Sequence, residues 1–171
     1  RELLQRGGRR VADYGSFQLI ETTESVPPDS RRARAQVESN GDEIELNFTR
    51  IKTRSPEGKA LRQPRGSFSG KALHLIQFVG PIKPEWRASI EQLGVGFVNY
   101  VPQNAYLISG TAEALARLQA WAATTNVVQW DGTFEDRYKV HPGARVRNEF
   151  GLVQSLDTDV FAIQLVADEA G

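Results

Sequence analysis

The order in which hydrophobic periodicity changes between residues 72 and 133 constrains this chain more than any other feature. "ALHLIQFV" (Ala72 to Val79) is a short, apolar, β-prone run, and that length and composition suit a buried or half-buried strand. Gly80-Pro81 interrupts it, and Pro84 is placed to open a helix. Trp86, Ile90 and Leu93 then fall at i, i+4 and i+7, one helical face, and Gly94 is a natural stop. "GFVNYV" (Gly96 to Val101) reads as a second strand, "PQN" as a turn and "AYLIS" (Ala105 to Ser109) as a third strand. Thr111 is positioned to cap a second helix in which Leu115, Leu118 and Ala122 share a stripe, with Trp121 beside it. "NVVQW" begins a fourth strand, and the polar "DGTFEDRYK" is expected to lead away from it as a turn.

This order is β-α-β-β-α-β, which predicts an α+β fold of ferredoxin-like type: an antiparallel four-stranded sheet with two helices on one face. The other face is expected to be left for a partner. A unit of about 70 residues buries a modest core and is marginal alone, so a further docking surface is in keeping with its size.

The flanking segments echo the same unit. "RRVADYGSFQLIE" (Arg9 to Glu21) resembles "VGFVNYVPQNAYLIS", with Tyr14 against Tyr100, 86 residues apart. At that spacing Leu4 and Gly8 of "RELLQRGG" stand against Ile90 and Gly94, as the tail of a first helix would. Near the C-terminus "IQLVA" repeats "IQFVG", with Gln164 against Gln77, 87 residues apart. The expected organisation is tandem and truncated at both ends. Residues 1–58 form the rear of a degenerate unit, 59–71 a linker, and 72–142 the complete unit; 143–159 form a second linker and 160–171 the first strand of another unit. In the degenerate unit "PPDSRRARAQVES" makes a poor helix, while "EIELNF" followed by "RIKT" is the credible last strand.

Composition excludes several classes. With 40% hydrophobic and 25% charged residues the chain reads as globular. No apolar run approaches the roughly 18–20 residues that span a bilayer. There is no cysteine, hence no disulfide framework and no thiolate metal site. There is no methionine either, so Arg1 is not expected to be a translation start and the segment reads as part of something longer. The net charge is zero, with basic clusters at Arg9-Arg10, at "RRAR" (Arg31 to Arg34) and in "RIKTRSPEGKALRQPR". Aromatic residues are not interleaved with these arginines, so a solvated face and a basic linker explain them better than a nucleic-acid footprint.

No catalytic, cofactor or metal site is expected, and no protein-binding residue can be assigned. His74 lies within a strand and His141 at the exit of the complete unit in "KVHPG"; two separated histidines without cysteine lack zinc-site spacing. "GSFSG" (Gly66 to Gly70) imitates a nucleophile elbow but carries Phe68 where the serine belongs, and reads as flexible linker. "WDGTFED" (Trp130 to Asp136) fits no calcium-loop spacing, and "DTD" (Asp157 to Asp159) reads as linker polarity. Phosphate-cradling and dinucleotide motifs are absent, as is the aromatic run with which a ferredoxin-like sheet stacks RNA bases.

The segments "LHLIQFVGPIKPEW", "VNYVPQNAYLISG" and "VQWDG" resemble the N-terminal propeptide-like, inhibitor-type regions of large bacterial subtilisin-like serine peptidases. "VADYGSFQLIE" and "LNFTRIKT" resemble the stretch that precedes them in such proteins, so the likeness covers most of residues 9–141. The resemblance implies a non-catalytic module of a secreted bacterial peptidase precursor, acting as intramolecular chaperone, inhibitor or protein-interaction domain. It also implies that the partner is a peptidase domain of the same chain, with neither nucleic acid nor membrane involved. The Asp-Thr/Ser-Gly, His-Gly-Thr and Gly-Thr-Ser contexts of a subtilisin-like triad do not occur here, so the enzyme activity implied belongs to the parent protein and not to this segment. Two other readings are a standalone adhesion or scaffold repeat, and a ferredoxin-like regulatory domain for a small ligand or RNA; fold analogy does not choose among them.

Overall fold

The computed structural model describes residues 4, 7–23, 41–64, 66–144, 149–152, 160 and 162–166. Among these residues the strands and α-helices whose bounds are defined follow in order: β1 (Arg9–Asp13), β2 (Gln18–Glu21), β3 (Glu43–Leu46), β4 (Thr49–Lys52), α1 (Pro56–Ala60), β5 (Ala72–Phe78), α2 (Pro84–Gln92), β6 (Gly96–Val101), β7 (Ala105–Gly110), α3 (Ala112–Thr124) and β8 (Val128–Thr133). The fold is α+β with antiparallel sheets. β5–β8 form one four-stranded sheet in the order β6-β7-β5-β8, every neighbouring pair antiparallel.

The local signals of this sheet act as expected. Pro84 opens α2 at a position that needs no N–H, and Gly94 supplies the positive φ (+84°) just beyond its end. The Thr111 side chain accepts from the Ala114 N–H and caps α3. Gln103 and Asn104 both occupy left-handed backbone in the β6–β7 turn, a conformation asparagine tolerates better than most residues. Ala114, Leu115, Leu118 and Ala122 of α3 and Ile90 of α2 then cover Ile76, Phe78, Ile108 and Val128 on one face of the sheet.

The opposite face is not left for a partner. β3 and β4 form a hairpin, and Ile44, Ile51 and Leu61 from the hairpin and α1 bury against Leu75, Ala105 and Trp130. Leu46, Phe134 and Tyr138 close the rim. This second core exists because Leu75, Ala105 and Trp130 put apolar side chains on that face too, and water cannot be left on them without cost.

Several sequence expectations change accordingly. "EIELNF" and "RIKT" are two strands of a hairpin rather than one terminal strand, because Asn47-Phe48 reverses the chain between them. The expected linker over 59–71 begins inside α1: Ser55 accepts from the Gly58 N–H, Pro56 stands in the first turn, and Leu61 is buried. Phe68 packs against the helix-side core, so the "GSFSG" stretch anchors the chain as well as connecting it. The fourth strand continues through "DGT" to Thr133, whose N–H donates to the Leu61 carbonyl.

The described part of the N-terminal region makes two separate two-stranded sheets, β1-β2 and β3-β4, not a four-stranded one. Of residues 160–171, expected as a strand, the described 162–166 belong to none; a strand is defined by a ladder, and among the described residues no sheet offers them one. "PPDSRRARAQVES", "DTD" and most of 143–159 lie outside the described residues, as does most of "RELLQRGG".

Candidate functional site

Of the residues weighed from sequence, the structure brings two together that looked unrelated. His74 in β5 and Asp131 in β8 lie on the same face of the sheet, and His74 Nε2 is 3.0 Å from Asp131 Oδ2. Arg62 reaches the other carboxylate oxygen at 3.3 Å. His74 and Asp131 are both buried, at 1% and 2% exposure, while the Arg62 side chain is half exposed. His74 Nδ1 has no hydrogen-bonding partner among the described residues. Through Arg62 the pair ties the chain just after α1 to the sheet. Breaking one member of such a cluster strands a buried charge. His141 is elsewhere: its Nδ1 accepts from the Gly143 N–H and its ring meets Phe48 edge-on.

Gln77 is a residue that sequence reasoning passed over except as a repeat marker. It is fully buried in β5, and its amide donates to the Glu43 carbonyl at 2.9 Å and the Gln103 carbonyl at 3.0 Å. Gln129 donates to Gln77 Oε1 and also to the Gly41 carbonyl. These glutamines clamp the β3 end of the covering hairpin to the sheet. The available signal was a polar residue in the middle of an apolar run, which must find partners if buried.

A further candidate surface is aromatic. Phe17 stacks on Tyr14 at 4.5 Å, Tyr14 meets Trp86 at 6.2 Å, and Trp86 lies nearly parallel to Phe78 at 5.9 Å. Phe78 contacts Tyr106, which is edge-on to both Phe97 and Tyr100 at 5.3 Å. The ribbon thus runs from the β1–β2 turn, past α2, to the edge strand β6. Its two ends are open, Phe17 being 50% and Tyr100 57% exposed.

Two cations lie along the ribbon. Arg87 sits 4.5 Å above Phe97, and Lys83 lies 5.0 Å from Tyr14 and 5.8 Å from Trp86 while donating to the Asp13 carbonyl. Tyr14 donates to the Pro81 carbonyl at 2.8 Å, fixing the β1–β2 hairpin against the loop before α2. Burial pushes the Tyr14 phenol above the ordinary tyrosine range, and nearby Glu85 adds to this. Burial likewise raises Tyr106, with Tyr100 adding and Arg87 opposing. Asp13 moves the other way, its carboxyl lowered by the Gly15 N–H and then by Gln18.

The exposed Tyr100 and the Arg87-covered Phe97 both meet Tyr106, which in turn rests on the buried Phe78.

Residues 24–135 match the model of a family described as a Domain of unknown function (DUF8729). The chain belongs to that family. The matched span takes in the β3–β4 hairpin, α1 and the whole β5–β8 sheet, so in this family's model the cover and the covered face fall within one domain. Tyr14 and Phe17 lie before it. No curated protein and no solved structure matches the chain. Among the described residues there is no helix long and apolar enough to cross a membrane, and no group of three or more metal-ligating side chains.

Proposed function

We propose that this chain is a non-catalytic, propeptide-like module of a secreted subtilisin-like serine peptidase, working through protein contacts. The observation that carries the reading is the connectivity of residues 72–133. Strand order β6-β7-β5-β8, with α2 and α3 on one face, supports reading this part as a ferredoxin-like unit. The segments that resemble peptidase propeptides fall in order on its elements, "LHLIQFVGPIKPEW" on β5 and α2, "VNYVPQNAYLISG" on β6 and β7, and "VQWDG" on β8. The peptidase of the same chain is the partner in this reading. Contact is made by the β6 edge and the open end of the aromatic ribbon at Tyr100, since the β3–β4 hairpin already occupies the second sheet face.

That occupied face also favours a second reading, a scaffold or adhesion repeat that binds other proteins without inhibiting a peptidase. The surface a bare propeptide sheet would present is spent on an internal core. Titrating the purified chain against a subtilisin-like peptidase separates the two. The propeptide reading expects saturable inhibition that Tyr100→Ala weakens; absence of inhibition at ~10 μM, a concentration at which even micromolar affinity would register, leaves the scaffold reading.

A further inference from the structure

β4 with the preceding Phe48, α1, and the segment from Arg137 to Pro142 border a groove of about 500 Å³. All four residues of β4 line it, and Ile51, Leu61 and Tyr138 give it an apolar floor. Phe48 meets the His141 ring edge-on at 5.6 Å, which joins the two walls.

The strand bordering this groove has an open edge. Among the described residues β3 is the only strand neighbour of β4. The Thr53 N–H donates to the Asp42 carbonyl at 2.8 Å, and the register sets Ile44 opposite Ile51 and Leu46 opposite Thr49. Hydrogen-bonded pairs alternate along an antiparallel ladder, so these three are the bonded pairs. Arg50 and Lys52 therefore direct their backbone groups away from β3. The Ser55 N–H takes the Lys52 carbonyl at 3.0 Å. The Arg50 N–H and carbonyl and the Lys52 N–H are left on the outer edge, a template for a further strand.

Charge and alternation select what that edge admits. Ile51 is buried against the sheet, so Arg50 and Lys52 lie on the opposite, exposed face of the strand. Arg137 also lines the groove, and Glu57 is the one carboxylate of the lining. The backbone N–H of Glu57 and the Ser55 side chain already engage that carboxylate and lower it below the ordinary glutamate range. Arg50 is paired with Glu45 and Arg137 with Glu135, whereas Lys52 is in no ion pair among the described residues. Two β4 edges brought together would set these cations against one another, which disfavours a second copy as the occupant.

We propose that the groove binds an extended acidic segment of another protein, added as an antiparallel strand to the outer edge of β4. One acidic residue exchanges both backbone bonds with Arg50, and its side chain lies on the face of Arg50 and Lys52. The alternate, apolar side chains lie over Leu61 and Tyr138. The groove uses none of the β6 residues on which the peptidase reading rests.

The test titrates the whole chain into a short fluorescein-labelled peptide of alternating valine and glutamate, followed by anisotropy and by NMR hydrogen exchange of the complex. The expected result is saturable binding with slowed exchange at the Arg50 and Lys52 amides. N-methylation of the glutamate amides abolishes binding, whereas N-methylation of the valine amides, which point away from β4, is tolerated. Lys52→Glu changes an exposed side chain, so the fold is kept, as circular dichroism verifies; turning an attraction into a repulsion weakens binding ~10-fold. No binding at ~1 mM overturns the proposal. So does equal binding of the peptide with lysine in place of glutamate, equal tolerance of the two methylation patterns, or protection centred away from β4. A chain that self-associates in light scattering and becomes monomeric as Lys52→Glu overturns it in favour of a second copy.

Discussion

Replacing Gln77 with alanine tests whether the hairpin that covers the sheet is integral to the fold. The amide of Gln77 makes two good hydrogen bonds, to the Glu43 and Gln103 carbonyls, and accepts a longer one from Gln129. Each neutral bond contributes about 1 kcal/mol net, and a buried carbonyl left without its donor costs about 1–3 kcal/mol. Two stranded carbonyls and a small cavity therefore give a loss of about 3–4 kcal/mol. With a urea slope of about 2 kcal/mol/M, the unfolding midpoint falls by about 1.5–2 M at unchanged slope. The assay is urea unfolding followed by tryptophan fluorescence, since Trp130 lies in the core under the hairpin. Hydrogen exchange at Glu43–Leu46 should accelerate with the global change. A midpoint shift below about 0.3 M, the size of a neutral surface change, refutes the reasoning: the glutamine would then not be holding the hairpin. Rapid exchange confined to Glu43–Leu46, with global stability intact, would show a detachable flap instead.

Four further outcomes are expected. Gly58→Ala places a methyl group against the Lys52 carbonyl and within 2.9 Å of Thr53 backbone atoms, so α1 must shift; the loss should be about 1–3 kcal/mol, measurable by thermal unfolding. Trp130→Phe removes the indole N–H that donates to the Gly58 carbonyl at 2.9 Å and should cost about 1–3 kcal/mol, with the Gly58→Ala background absorbing much of that effect in a double-mutant cycle. The Asp13 carboxyl should titrate below the usual aspartate range by NMR, and Gln18→Ala should bring it back towards that range. Because its folded pKa is lowered, any stability it lends is present above the unfolded value and is lost as pH falls through the folded one. The Tyr14 and Tyr106 phenols run opposite: their stabilising effect is complete at neutral pH and is lost as pH rises from the ordinary tyrosine value through the raised one, so ultraviolet titration should show late ionisation.

The sequence by itself determined the alternation of elements in residues 72–133, because each carries its own local signal. Pro84 and Gly94 bound α2, Thr111 caps α3, and the apolar stripe of α3 faces Ile76 and Phe78 of β5. These are interactions within a few residues, so periodicity and capping expose them. α1 was legible in the same way, since Ser55-Pro56-Glu57 is a helix-start signal, but its five residues sat inside a stretch whose basic and glycine-rich composition suggested a linker. The sequence also set the polar Gln77 within an apolar run, without saying what it holds.

Only the tertiary structure decided what covers the second face of the sheet. Ile44, Ile51 and Leu61 are ordinary apolar residues in sequence, and nothing local says that they meet Leu75 and Trp130 rather than each other. The same holds for His74 and Asp131, 57 residues apart, and for the aromatic ribbon, assembled from a turn, a helix and three strands. Hydrophobic burial is non-directional: it requires that an apolar face be covered but leaves the covering element unspecified. Long-range packing made that choice, and it turned the face expected to bind a partner into a second core.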